Sequence, residues 1–157
     1  MKSMSTRGDL LRRSMEYCAD AERSLHDVTQ KLQSWGASHD EIESIINSLL
    51  AEKFLDESRY VKSYVSEKWN LDRWGKLKIE NTLRQKNIND TIIQQALDTI
   101  DEFEYEQEMH EVLRKKYKEV KSENKADDAR RIMMFAQSRG FEEERIQEWL
   151  TKEGFEA

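Results

Sequence analysis

The seven residues "TLRQKNI" (82–88) carry a pattern that the chain repeats on both sides. The stretches "KLQSWGA" (31–37) and "FAQSRGF" (135–141) place Gly36 and Gly140 where this one has Asn87. Glycine and asparagine best tolerate the left-handed backbone conformation that commonly follows the end of a helix. An apolar or small residue comes next in all three cases. The three stretches therefore predict three equivalent helix ends.

The match continues on both sides of these stretches at identical offsets. The recurring residues are Val28, Ile79 and Ile132; Ile42, Ile93 and Ile146; Ile45, Ala96 and Trp149; and Ile46, Leu97 and Leu150. The spacing is 51 residues from Leu32 to Leu83 and 53 residues from Leu83 to Ala136. A period of this length indicates tandem supersecondary units that bury their apolar faces against one another.

Capping signals divide each unit into three helices. Asp56 and Asn89 stand where they can cap helices of the second unit. In the first unit, "SLHD" (24–27) and "SHDE" (38–41) have the spacing of a capping box. The chain has no proline and only five glycines, so little interrupts helix formation. The predicted fold is all-α: three tandem three-helix units, 1–54, 55–101 and 102–157, forming an elongated, curved molecule.

Composition and apolar patterning indicate the cellular compartment of the protein. The formal net charge is −6, and Cys18 is the one cysteine, so no intramolecular disulfide can form. A single thiol fits a reducing compartment. The N-terminal segment 1–8 has a net positive charge, but no apolar run follows it as in a signal peptide. The apolar clusters elsewhere are too short to span a bilayer. We therefore predict a cytoplasmic protein that does not contact membranes.

No motif for catalysis or metal binding stands out in the sequence. His26, His39 and His110 are scattered and form no i, i+4 pair. No glycine-rich loop is present that could hold a nucleotide phosphate. We predict that the protein is not an enzyme, with no catalytic residue, no metal site and no cofactor.

One short basic stretch contrasts with the acidic chain. Its cations are Arg73, Lys76, Lys78, Arg84 and Lys86, and they surround Leu77, whose counterparts in the other units are polar. Helical geometry puts Leu77, Lys78 and Arg84 on the arc opposite the apolar stripe. The stretch is either a solvated helix face or a contact site, with Leu77 as anchor and the cations steering it to an acidic partner.

A second basic cluster lies in the third unit, after a run of acidic residues. Its members are Arg114, Lys115, Lys116, Lys118, Lys121, Lys125, Arg130 and Arg131. The helix macrodipole favours acids early and bases late, which is a sufficient cause by itself. Alternating charge zones could also match patches along a polymer. The candidate partner-binding residues are Arg73, Leu77, Lys78, Arg84, Lys86, Arg130 and Arg131.

The second unit resembles the bacterial RecX family. The resemblance is most specific in "KFLDESRYVKSYV" (53–65) and "WGKLKIENTLRQKNIND" (74–90), and a third unit with "SRGF" (138–141) extends it over nearly the whole chain. The family usually has glycine where this chain has Asn87. Because asparagine tolerates the same backbone conformation, the departure changes little.

The resemblance implies a regulator without catalytic chemistry. RecX-like proteins bind RecA recombinase along the groove of its filament on single-stranded DNA. They modulate its ATPase, strand-exchange and co-protease activities, usually downwards. By this resemblance the chain is expected to be a monomer that binds the RecA filament, with indirect or weak contact to single-stranded DNA. The alternatives are a helical DNA-binding regulator and a scaffold for another protein.

Overall fold

The computed structural model describes residues 6–155, which form nine α-helices and no strand. The helices are α1 (Arg7–Asp20), α2 (Leu25–Ser34), α3 (His39–Ala51), α4 (Glu57–Asn70), α5 (Lys76–Gln85), α6 (Asp90–Leu97), α7 (Glu102–Val120), α8 (Lys125–Ser138) and α9 (Glu143–Lys152). Helices pack mainly within consecutive groups of three. We call α1–α3, α4–α6 and α7–α9 units 1, 2 and 3. The predicted all-α fold of three tandem three-helix units is confirmed.

The predicted caps are present. The side chains of Asp56 and Asn89 accept hydrogen bonds from backbone N–H groups in the first turns of α4 and α6. The capping boxes that begin at Ser24 and Ser38 are complete, with both reciprocal hydrogen bonds formed. Each cap satisfies N–H groups that have no partner inside the helix.

The three repeated helix ends also adopt the predicted backbone. Gly36, Asn87 and Gly140 have φ angles of 84°, 59° and 94°. At the end of α2 the N–H of Ala37 donates to the carbonyl of Leu32. At the end of α8 the N–H of Phe141 donates to the carbonyl of Ala136 in the same way. This is the Schellman arrangement, in which the residue after the left-handed one closes the helix. Asparagine therefore serves at position 87 where the other units use glycine.

The hydrophobic residues form two separate cores. One core belongs to unit 1 and includes Leu10, Val28, Leu32 and Ile45. The other is continuous through units 2 and 3. Leu55, which the predicted boundary assigns to the second unit, packs in the core of unit 1. The residue limits of the units remain a prediction, and residues 1–5 and 156–157 lie outside the described range.

The molecule has a large surface for its size. Its solvent-accessible area is 9727 Å², whereas a compact monomer of this mass exposes about 8,300 Å². The excess is expected when units stand in a row and cover only their neighbours. Among the described residues, no helix is long and apolar enough to cross a membrane.

Candidate functional site

Units 2 and 3 meet where the start of α5 contacts the end of α8. Gly75 precedes α5 and has no side chain to cap it. Instead, the N–H of Gly75 donates to the carbonyl of Arg139 at 2.7 Å, and that of Leu77 donates to the carbonyl of Gly140 at 3.0 Å. The positive end of one helix dipole thus faces the negative end of another. Unit 3 caps a helix of unit 2.

Tyr105 of α7 completes this junction. Its hydroxyl accepts a hydrogen bond from the N–H of Lys76 at 2.9 Å and donates to the Glu142 carboxylate at 2.6 Å. Burial and the neighbouring Glu142 raise the pKa of Tyr105 far above its usual value, so the hydroxyl stays protonated. Arg145 closes the network by pairing with Glu142 and with Glu102.

Units 1 and 2 are joined by polar contacts centred on Lys86. Its ammonium donates to Asp27 of unit 1 at 2.9 Å and to the hydroxyl of Tyr60 at 2.8 Å. The N–H of Leu25 donates to the carboxylate of Glu57. This junction is therefore a set of charges and hydrogen bonds between two separate cores.

The charged forms of Asp27 and Lys86 stabilise each other. Partial burial raises the pKa of Asp27, but hydrogen bonds from Ser24 and Lys86 outweigh it, and the pKa lies below its ordinary value. Burial likewise opposes the ammonium of Lys86, yet the bonds to Tyr60 and Asp27 raise its pKa. Both groups remain ionised at neutral pH.

Three of the seven predicted contact residues lie in the junctions. Lys86 is held between units 1 and 2, as described. Arg73 pairs with Glu108 of unit 3 at 3.2 Å. The sequence predicts that Lys78 points outward, but the residue is half-buried. Its backbone and Cβ adjoin Gly140, and its ammonium lies 4.2 Å from the Trp74 ring centre. Helical geometry could not reveal this, because Gly140 belongs to unit 3.

The other four predicted residues are exposed. Leu77 is 42% exposed on α5. Arg84 lies near the end of the same helix and forms surface ion pairs with Glu80 and Asp90. Arg130 and Arg131 lie on α8 of unit 3. These residues remain candidates for contact with a partner.

A cleft that the sequence did not reveal opens beside the junction of units 2 and 3. Its volume is 620 Å³, which is in the usual range for a binding pocket. We call it the junction cleft. The α4–α5 linker, the middle of α7 and the end of α8 form it, and its cations are Arg73, Lys115, Lys116 and Arg139. Arg73, Lys115 and Lys116 belong to the predicted basic segments, but only the fold brings them together with Arg139.

Comparison with known proteins agrees with this architecture. Residues 56–97 match the sequence model described as RecX, second three-helix domain. The RecX regulatory protein of Clostridium tetani is 31% identical over 148 residues, covering 93% of this chain and 66% of that protein. The Vibrio parahaemolyticus protein is also 31% identical, over 80% of this chain and 79% of its own length. The Leptothrix cholodnii protein is 30% identical, over 88% of this chain and 85% of that protein.

Solved structures support the same fold. A crystal structure of regulatory protein RecX superposes with a TM-score of 0.85 at 20% identity, covering 92% of this chain and 73% of that one. RecX from Lactobacillus salivarius superposes with a TM-score of 0.82 at 21% identity, covering 93% of this chain and 95% of that one.

The fold and its charged junctions define an all-α protein of three tandem three-helix units. The chain belongs to the RecX family of regulatory proteins. It spans 66% of the length of the Clostridium tetani relative.

Proposed function

We propose that this protein regulates RecA recombinase by binding its filament on single-stranded DNA. Binding would lower the ATPase, strand-exchange and co-protease activities of the filament, and so act in recombination, repair and the SOS response. The observation that carries the proposal is the match to RecX regulatory proteins over 93% of the chain in one relative and 88% in another.

The proposed mechanism is bridging of successive filament protomers. Each unit presents a small surface, and exposed residues such as Leu77 and Arg84 on unit 2 and Arg131 on unit 3 would contact different protomers. Linked weak sites bind far more tightly than any one of them, because the second contact becomes intramolecular. Units 2 and 3 share one core, so their contact residues keep a fixed spacing suited to a regular polymer.

Co-sedimentation tests the proposal. The purified chain is spun with RecA filaments assembled on single-stranded DNA, with bare DNA as the parallel control. We expect the chain to pellet with the filament and to lower its ATPase rate in proportion to the bound fraction. Equal pelleting with bare DNA would instead support the DNA-binding alternative, and no pelleting with either would contradict both.

A further inference from the structure

Apolar side chains line the part of the junction cleft that we call its floor. Two cations lie near the ring of Phe135 on α8: the Lys116 ammonium is 4.6 Å and the Arg139 guanidinium carbon 5.0 Å from the ring centre. Val112 of α7 lines the same floor, and Leu71 stands at the edge with 76% of its surface exposed. A large apolar side chain of a ligand could therefore pack against protein atoms here.

The cleft is positive within an acidic protein. Its four cations face two carboxylates, those of Asp72 and Glu119, which leaves two positive charges. Arg139 donates to a backbone carbonyl, that of Asp72, rather than to a carboxylate. Lys115 is exposed and forms no ion pair among the described residues. These two cations are free to meet carboxylates of a ligand.

Nucleic acid fits this cleft poorly. Affinity for a polyphosphate grows with the number of phosphates that cations neutralise, and only two cations here are uncompensated. A ligand with a few carboxylates around one apolar side chain matches both the charge and the floor.

We infer that the junction cleft binds an acidic peptide segment that carries one large apolar side chain. The side chain packs on Phe135 and Leu71, and flanking carboxylates pair with Lys115 and Arg139. The inference deepens the proposed function and rests on it for the source of the segment, which would belong to the filament. Because the cleft lies between units 2 and 3, such a segment would engage both at once.

Fluorescence anisotropy with the full chain tests this binding. The probe is a short fluorescein-labelled peptide with two glutamates on each side of one phenylalanine. Its matched controls replace the phenylalanine by serine or all glutamates by glutamine, and a labelled oligothymidylate represents nucleic acid. We expect the acidic phenylalanine peptide to bind and each control peptide to bind at least about tenfold more weakly.

Four variants locate the site. K115E should raise the Kd of the peptide about tenfold, and L71S about fivefold, because each removes a contact at an exposed position that folding does not need. The matched controls are K62E, an exposed lysine on α4, and F103S, an apolar residue of α7 that is 72% exposed. Both controls should leave the Kd within about twofold.

The outcomes separate this inference from the proposed function. No peptide binding, or equal effects of K115E and K62E, would overturn the inference. It would also be overturned if oligothymidylate bound instead, with the same dependence on K115E. If the wild type and K115E co-sediment equally well with the RecA filament, the proposed function stands and the cleft is not the contact. Specific peptide binding together with weaker co-sedimentation of K115E would support both.

Discussion

Gly75 and Gly140 adjoin each other across the junction of units 2 and 3. A Cβ atom added to Gly75 would lie 2.2 Å from the carbonyl carbon of Gly140, and one added to Gly140 would lie 2.3 Å from the Cβ of Lys78. Gly36 holds the same repeat position in unit 1, yet open space surrounds it. Position 36 therefore needs glycine for its positive φ alone, whereas position 140 needs it for both φ and close packing.

Alanine substitutions should separate these two requirements. G36A should lower the free energy of unfolding by about 1–2 kcal/mol through backbone strain. G140A should lower it by about 3–5 kcal/mol, because steric overlap adds to the same strain. G75A, with its ordinary negative φ, should fall between them at about 2–3 kcal/mol. Urea unfolding followed by circular dichroism measures all three, and equal losses in G36A and G140A would show that the junction relaxes around the added methyl group.

Leu77 and Arg84 are the exposed residues of α5 that filament binding would use. L77A should weaken binding to RecA filaments by about 1–2 kcal/mol if the side chain anchors the contact. R84E should weaken it mainly at low salt, because a charge at the edge of an interface acts through long-range attraction. Lys78 is left unchanged, since its half-buried position makes a substitution ambiguous. Filament affinity at two ionic strengths, with K62E as control, is the measurement; affinities like wild type for folded variants would place the contact elsewhere.

At the scale of the element, α5 depends on its neighbour for its cap. The helix has 10 residues and starts after Gly75, which has no side-chain cap. Carbonyl groups at the end of α8 and the hydroxyl of Tyr105 take that role. An isolated helix of this length is marginal in water, so the cap from unit 3 adds to the packing of α5 on α4 and α6.

Removing the Tyr105 hydroxyl should test this dependence. Y105F leaves the N–H of Lys76 without its acceptor and Oε1 of Glu142 without the tyrosine donor, at a cost of about 1–3 kcal/mol in the free energy of unfolding. Hydrogen exchange at the start of α5 should quicken by a corresponding factor. The control is Y117F, whose ring packs on Phe155 and whose loss of a hydroxyl should cost less than about 1 kcal/mol. Similar effects of the two substitutions would contradict capping by Tyr105.

The contacts of Lys86 with Asp27 and Tyr60, which we call the Lys86 bridge, should contribute more to the free energy of unfolding than the surface ion pairs of Arg84. K86M leaves Asp27 and Tyr60 partly buried without the cation, and we expect a loss of about 1–3 kcal/mol in the free energy of unfolding. R84M removes exposed pairs and should cost less than about 1 kcal/mol.

The same bridge has a defined pH dependence. The pKa of Asp27 is lowered by folding, so its contribution is present above the unfolded value of about 4 and is lost as pH falls through the lower folded value. The pKa of Lys86 is raised, so its contribution is present below about 10 and is lost as pH rises through the higher folded value. The difference between wild type and K86M should therefore be constant from about pH 5 to pH 9. A difference that varies across that range would contradict the assignment.

Over the whole molecule, the two junctions differ in kind. Units 2 and 3 share a continuous hydrophobic core, whereas unit 1 keeps its own. Charge screening by salt weakens partly exposed ion pairs but does not weaken the burial of apolar area. Units 2 and 3 should therefore behave as one body, to which unit 1 is attached by contacts such as Asp27 with Lys86.

Small-angle scattering tests the arrangement in a row. A compact chain of this length should have a radius of gyration of about 15 Å. We expect a clearly larger value, in keeping with the surface area of 9727 Å². A spherical profile near the compact value would contradict the tandem arrangement in solution.

The sequence by itself determined the nine helices of residues 6–155 and their grouping into three units. It did so because caps, helix ends and apolar periodicity depend on residues a few positions apart, as in the box from Ser38 to Glu41 or the left-handed Asn87. The exposed positions of Leu77 and Arg84 followed from the same periodicity.

Only the tertiary structure decided which cations are free and where a cleft forms. Lys86 meets Asp27 across 59 residues of chain, and Arg139 reaches the backbone of Asp72 across 67. Contacts at such separations depend on how whole units pack, and no periodic pattern records them. That is why Lys78, which lies on an outer arc of its own helix, is covered by Gly140 of the next unit.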